Sequence, residues 1–145
     1  MYSESPLKTR AINDAKDLIR QQEADRLGML TELVKVASDN PPGDCHAHSE
    51  KAAELLGEMG FEVEKHSVPR EVLEAAGLKK ITNLIVRHRF GEGPVIAFNA
   101  HGDAVPPGLG WSVDPYGGVV NEVLFSGRGA AVSKSDFVTS SHALK

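Results

Sequence analysis

The stretch Val95-Ile96-Ala97-Phe98-Asn99-Ala100-His101-Gly102-Asp103 is an apolar run ending in an imidazole and a carboxylate two residues apart. Neutral imidazole is the commonest protein ligand for zinc. A carboxylate beside it can hold the second ring nitrogen and fix which tautomer faces a metal. If the run is a strand, His101 and Asp103 come to its C-terminal end, the edge where open α/β sheets place their sites. Gly102 puts no side chain between them and lets the backbone turn tightly. A His-x-Asp pair alone reads equally well as a polar surface loop, so the surrounding sequence has to decide.

Three other groupings carry chemistry-capable side chains. Asp44-Cys45-His46-Ala47-His48 has metal-binding residue types but no second distant pair, and it reads as a solvated helix start with Asp44 near the cap. Gly127-Arg128-Gly129 stands between an expected strand and an expected helix, as a dinucleotide loop would. Its third glycine position, however, is Val132, too large for close helix-to-strand packing. Trp111 and Tyr116 lie in a Gly/Pro-rich stretch over residues 106–118, where they either line an entrance or pin the loop. His66, His88 and His142 are isolated and read as surface or half-buried side chains.

The elements that must position these residues follow from periodicity. Apolar spacings of three and four predict helix over residues 8–37, with Gly28 as a break or joint and a stop at Asn40-Pro41-Pro42-Gly43. A second helix is predicted over 46–59, an alternating strand over 61–65, and a short helix over 69–76. Strands are predicted over 81–88 and 95–99, joined as a hairpin through the turn-forming residues 89–94. A further strand over 119–125 and a helix from Ser133 to Lys145 complete the pattern. Alternating helix and strand predicts an α/β fold, a mixed twisted sheet with helices on both faces, in one domain over 1–145.

Bulk properties narrow the function classes. The 145 residues are 41% hydrophobic and 25% charged, ordinary for a globular domain, and the net charge of −4 comes without a basic cluster. Nucleic acid and membrane are therefore not expected partners. The single cysteine, Cys45, cannot form an internal disulfide, and Met1 to Pro6 lacks a basic start followed by an apolar run, so a cytoplasmic location is expected.

His101-Gly102-Asp103-Ala104-Val105-Pro106-Pro107, Gly110-Trp111-Ser112-Val113-Asp114-Pro115-Tyr116-Gly117-Gly118 and Gly127-Arg128-Gly129-Ala130-Ala131 together resemble metallopeptidase family twenty. That family includes aminoacylases, acetylornithine deacetylases, succinyl-diaminopimelate desuccinylases, glutamate carboxypeptidases and dipeptidases. Asn40-Pro41-Pro42-Gly43, Ala52 to Phe61 and Asn83-Leu84-Ile85 also fall where that family has similar residues, so the resemblance runs in order over residues 27–136. It implies the first part of a zinc-exopeptidase-like catalytic domain, a pair of zinc ions or another divalent metal such as cobalt or manganese, and a bridging water. It implies His101 as a metal ligand and Asp103 as the catalytic residue that orients it. The implied reaction is hydrolysis of the amide bond of an N-acyl amino acid or small peptide.

Two departures qualify the resemblance. Where the family places a metal-bridging Asp after Gly-Arg-Gly-Ala-Ala, this chain has Val132, which cannot bind zinc; Asp136, one helical turn on, is the candidate to stand in. Its other reading is a carboxylate favoured by the dipole in a helix's first turn. The family's paired Glu residues and distal His have no counterpart here, so the chain reads as truncated and inactive alone, or as a degenerate non-catalytic copy. Cutting such a sheet short exposes an edge, which favours aggregation or a homodimer.

Overall fold

The computed structural model describes residues 5–145; Met1–Glu4, part of the segment in which no leader is read, lie outside the described residues. Helices α1 (Pro6–Gln21), α2 (Glu23–Lys35) and α3 (His46–Glu58) are followed by β1 (Val63–Ser67), α4 (Arg70–Ala75) and β2 (Thr82–Val86). The two-residue strands β3 (Val119–Val120) and β4 (Phe125–Ser126), a π-helical turn (Ala130–Lys134) and α5 (Ser135–Leu144) complete the chain. The expected helix over 8–37 divides at Gln22, not at Gly28, which sits inside α2 with open space around it.

Helix α1 is amphipathic but buries nothing. Ile12, Leu18 and Ile19, spaced to face a core, are 39%, 51% and 52% exposed. The core begins at α2. Met29 and Leu33 meet Ala52 and Leu56 of α3 and Val138 of α5, with Phe61, Val63, Leu84, Val86 and Phe137 packed around them. The recurrence at i, i+3 and i+4 in α2 and α3 is what aims these residues at one another. Glu23 and Asp25 complement the dipole in the first turn of α2, and Lys35 does so in its last.

The strands form two separate antiparallel pairs and no continuous mixed sheet among the described residues. β1 pairs with β2 from Val63↔Val86 to Ser67↔Thr82, and β3 with β4 through Val119↔Ser126 and Val120↔Phe125. The expected hairpin between 81–88 and 95–99 is therefore corrected. β2 takes β1 as its partner, while residues 95–99 run without strand pairing and stay exposed. An apolar run becomes a strand only where a neighbouring backbone offers its hydrogen bonds, and no described backbone group bonds to 95–99. The single strand expected over 119–125 is a short hairpin turned at Asn121, whose side chain accepts from Val123 and Leu124 N–H. No described helix is long and apolar enough to cross a membrane.

Leu33 is fully buried at the centre of the α2–α3–α5 contact. Leu33→Ala is expected to cost about 2–5 kcal/mol of unfolding free energy, read from the urea midpoint at unchanged slope.

Candidate functional site

The His101 turn is held from one side by the loop after α2. Asp39 and Ala104 form a parallel bridge, in which Asn40 N–H donates to Ala104 C=O at 2.8 Å and Ala104 N–H to Ser38 C=O at 2.9 Å. Ser38 Oγ donates to Gly102 C=O at 2.6 Å, and Asn40 Nδ2 donates to Asp103 Oδ2 at 3.0 Å. The Asn-Pro-Pro-Gly stop thus does more than end a helix: its preceding residues clamp the backbone on which His101 and Asp103 stand.

Asp103 Oδ1 lies 3.0 Å from His101 Nδ1, and the Asp103 carbonyl oxygen lies 3.1 Å from the same nitrogen. Both partners can only accept, so Nδ1 carries the proton and Nε2 carries the free lone pair. This is the tautomer a metal-ligating imidazole needs. The Asn40 amide, and then His101, hold the Asp103 carboxyl below its ordinary pKa, keeping it an anion. The side chains are 57% and 38% exposed, so the pair faces solvent at a rim.

Beneath the turn lies His48, which sequence reading placed in a solvated helix start. It is instead 6% exposed, and Cys45 beside it is buried and caps α3; Asp44 remains exposed. The sequence signal was available in hindsight: His48, Ala52 and Leu56 recur every four residues on the buried face of α3. A Cβ on Gly102 would stand 2.8 Å from both Cε1 and Nδ1 of His48, so the glycine is required by this contact. Burial, and then the charge of Lys134, push the His48 pKa down to about 4.

Lys134 was also missed. It is 2% exposed, and its Nζ donates to Leu33 C=O at 2.9 Å and Val36 C=O at 3.2 Å, the orphan carbonyls at the end of α2. Burial lowers its pKa to about 8. Trp111 and Tyr116 pin their loop: Trp111 Nε1 donates to Pro107 C=O at 2.8 Å, and Tyr116 Oη donates to Asp39 Oδ2 at 2.6 Å. Burial, then Asp39, raise the Tyr116 pKa to about 12. Arg128 Nε donates to Val105 C=O, tying the Gly-Arg-Gly turn to the same region. That turn follows a two-residue antiparallel strand, so the parallel setting of a dinucleotide loop is absent.

Asp136 stands in the first turn of α5, exposed, and does not line the cavity that His48, His101, Asp103 and Lys134 share. Val132 is extended within the π-helical turn and 66% exposed. No group of three or more His, Cys, Asp or Glu among the described residues could hold a metal ion.

The His48 shift has a defined sign. Its folded pKa lies below its ordinary value of 6.5, so the unfolded chain binds more protons between those values and stability falls as pH drops from about 6.5 to about 4. On going from pH 7 to pH 4, His48→Gln is expected to gain up to about 3 kcal/mol relative to the parent protein, read from paired denaturant melts.

Comparison with known proteins returns succinyl-diaminopimelate desuccinylases. The chain is 30% identical to that of Pseudomonas fluorescens over 117 residues and 31% identical to that of Acidiphilium cryptum over 112, covering 78% and 77% of this chain. A shorter match of 84 residues to the Methylobacterium nodulans desuccinylase reaches 42% identity over 57% of this chain and 20% of the relative. The chain spans 27% of the length of the Pseudomonas and Acidiphilium relatives. No family model and no solved structure matches. Over the stretch these relatives match, the chain is a partial relative of the succinyl-diaminopimelate desuccinylases, enzymes of metallopeptidase family twenty.

Proposed function

We propose that the chain contributes the His101–Asp103 corner of a metal-dependent amide hydrolase of the desuccinylase kind, and that it turns over no substrate by itself. The observation that carries this reading is the His101 tautomer: two acceptors on Nδ1 leave Nε2 as a lone-pair donor at an exposed rim. The substrate class is the amide bond of an N-acyl amino acid or small peptide, supported by the names of the relatives. A cytoplasmic setting fits the one free cysteine.

Zinc, or a divalent ion such as cobalt or manganese, is the metal of this reading. His101 fits a ligand's role, but zinc takes about three or four protein ligands and the described residues gather no such group. They do not complete a metal centre. Asp136 is the remaining candidate for a second ligand, and from its place on α5 it reaches the His101 rim only if the turn before it shifts. Val132, aliphatic and exposed where the family's bridging carboxylate would stand, favours the second reading, a non-catalytic family member.

Zinc calorimetry on the chain and on His101→Ala decides between these. The expected result is binding weaker than about 1 μM that disappears in His101→Ala and weakens about 10–100-fold in Asp103→Ala, with no hydrolysis of N-succinyl amino acids. Sub-micromolar binding that also needs Asp136 would replace the non-catalytic reading with a completed site. Binding indifferent to His101 would remove the metal-ligand assignment altogether.

A further inference from the structure

The Asp103 carboxylate bonds in two directions, and the two bonds differ in their surroundings. Toward solvent, Oδ1 accepts from His101 Nδ1 at 3.0 Å, where the His101 side chain is 57% exposed and that of Asp103 38%. Inward, Oδ2 accepts from Asn40 Nδ2 at 3.0 Å in a half-buried place. Water competes for the outer bond, so its net hold on the geometry is small. The inner bond is the one that can stop the carboxylate from turning about its own axis. Asn40 is suited to this by its setting. Pro41 follows it and disfavours a helical backbone there. The bridge at Asp39 is extended backbone, from which neighbouring side chains leave on opposite sides. Asp39 accepts from Tyr116 Oη at 2.6 Å, and Asn40 reaches Asp103. The Asn40 amide has one orientation: the carboxylate only accepts, so Nδ2 faces it, while Oδ1 turns to Gly43, where a Cβ would stand 3.4 Å away. Asn40 N–H separately donates to Ala104 C=O at 2.8 Å, a bond that truncating the side chain does not remove.

We propose that Asn40 is a positioning residue for His101: acting through Asp103, its side chain sets which ring nitrogen keeps the lone pair. With Oδ2 anchored, Oδ1 stays in front of Nδ1 and holds the proton there, which leaves Nε2 bare. Without the anchor the carboxylate swings toward water. Nδ1 then faces the Asp103 carbonyl oxygen at 3.1 Å. That carbonyl is held by the backbone, because Ala104 N–H, on the same peptide, donates to Ser38 C=O at 2.9 Å. The rival account is that this carbonyl alone fixes the tautomer and that the Asn40 side chain only packs. The assignment rests on the reading of His101 as a lone-pair donor, but it concerns the position of one proton and is tested with no metal present. Every group it invokes lies within residues 38–104 of this chain.

The test is the tautomer of the neutral His101 ring in the full chain, read from its ring-nitrogen NMR shifts in chelator, about two pH units above the ordinary histidine value. The parent is expected to carry its proton on Nδ1. Asn40→Ala is expected to move most of the population to the Nε2–H form, with amide hydrogen exchange at Ala104 unchanged because the backbone bonds remain. In an Asp103→Ala background the same substitution is expected to move nothing, since its effect travels through that carboxylate. An Nδ1–H parent whose tautomer Asn40→Ala leaves unchanged would overturn the proposal and leave the metal-ligand reading standing. An equal shift in both backgrounds would also overturn it, as would a shift accompanied by faster exchange at Ala104, because each marks a loosened turn and not an oriented carboxylate. A parent ring protonated on Nε2 would overturn this assignment and the metal-ligand reading together.

Discussion

The molecule depends on one short contact, the parallel bridge that joins residues 38–40 to residues 102–104. Two backbone hydrogen bonds across it, with the Ser38 hydroxyl and the Asn40 amide on either side, set the position of a turn that has no sheet to lie in. Residues 95–101 enter that turn without pairing, so the order at His101 is imposed from its C-terminal side. Asp103 is shared between the two tasks. One carboxylate oxygen receives the clamp through Asn40, and the other directs the ring of His101. A charge-assisted hydrogen bond on each oxygen leaves the carboxylate little freedom to rotate, which sharpens the orientation of the imidazole.

Near the bridge, the buried charge of Lys134 is met by backbone dipoles. Lys134 crosses from the π-helical turn to the last carbonyls of α2, supplying protons to acceptors that the helix cannot pair internally. The same contact ties the Gly-Arg-Gly segment to the core helix, so the loop bearing Val132 and the loop bearing His101 share one foundation. Tyr116, bonded to Asp39, and Arg128, bonded to Val105, draw the long Gly/Pro-rich loop onto it as well.

Helices were legible in the sequence because their signals are local. The periodicity of α3, the short α4 before Gly77 and the helical close of the chain need only residues within a few turns of each other. The His101–Asp103 pair was legible for the same reason: its geometry lies within three residues. The sheet was not, because pairing is a property of two segments. Alternation at 61–65 and apolarity at 81–88 and 95–99 do not say which two meet. Ile12, Leu18 and Ile19 show the converse, a helical stripe that is correct as helix yet stays exposed because nothing in the described chain packs on it. Lys134 and His48 escaped notice because burial of an ionisable side chain is decided by carbonyls and glycines far away in the chain.

Gly102 and His48 occupy what is in effect a single volume. The ring stands 2.8 Å from the place a Cβ would take, so position 102 cannot gain a side chain while His48, α3 and the turn keep their spacing. A side chain at 102 becomes admissible only after the ring at 48 has shrunk, whereas a smaller residue at 48 opens a void without any change at 102. Substitutions at these two sites are thus ordered in time: a lineage can pass through the small residue first, and the reverse route runs through a steric clash.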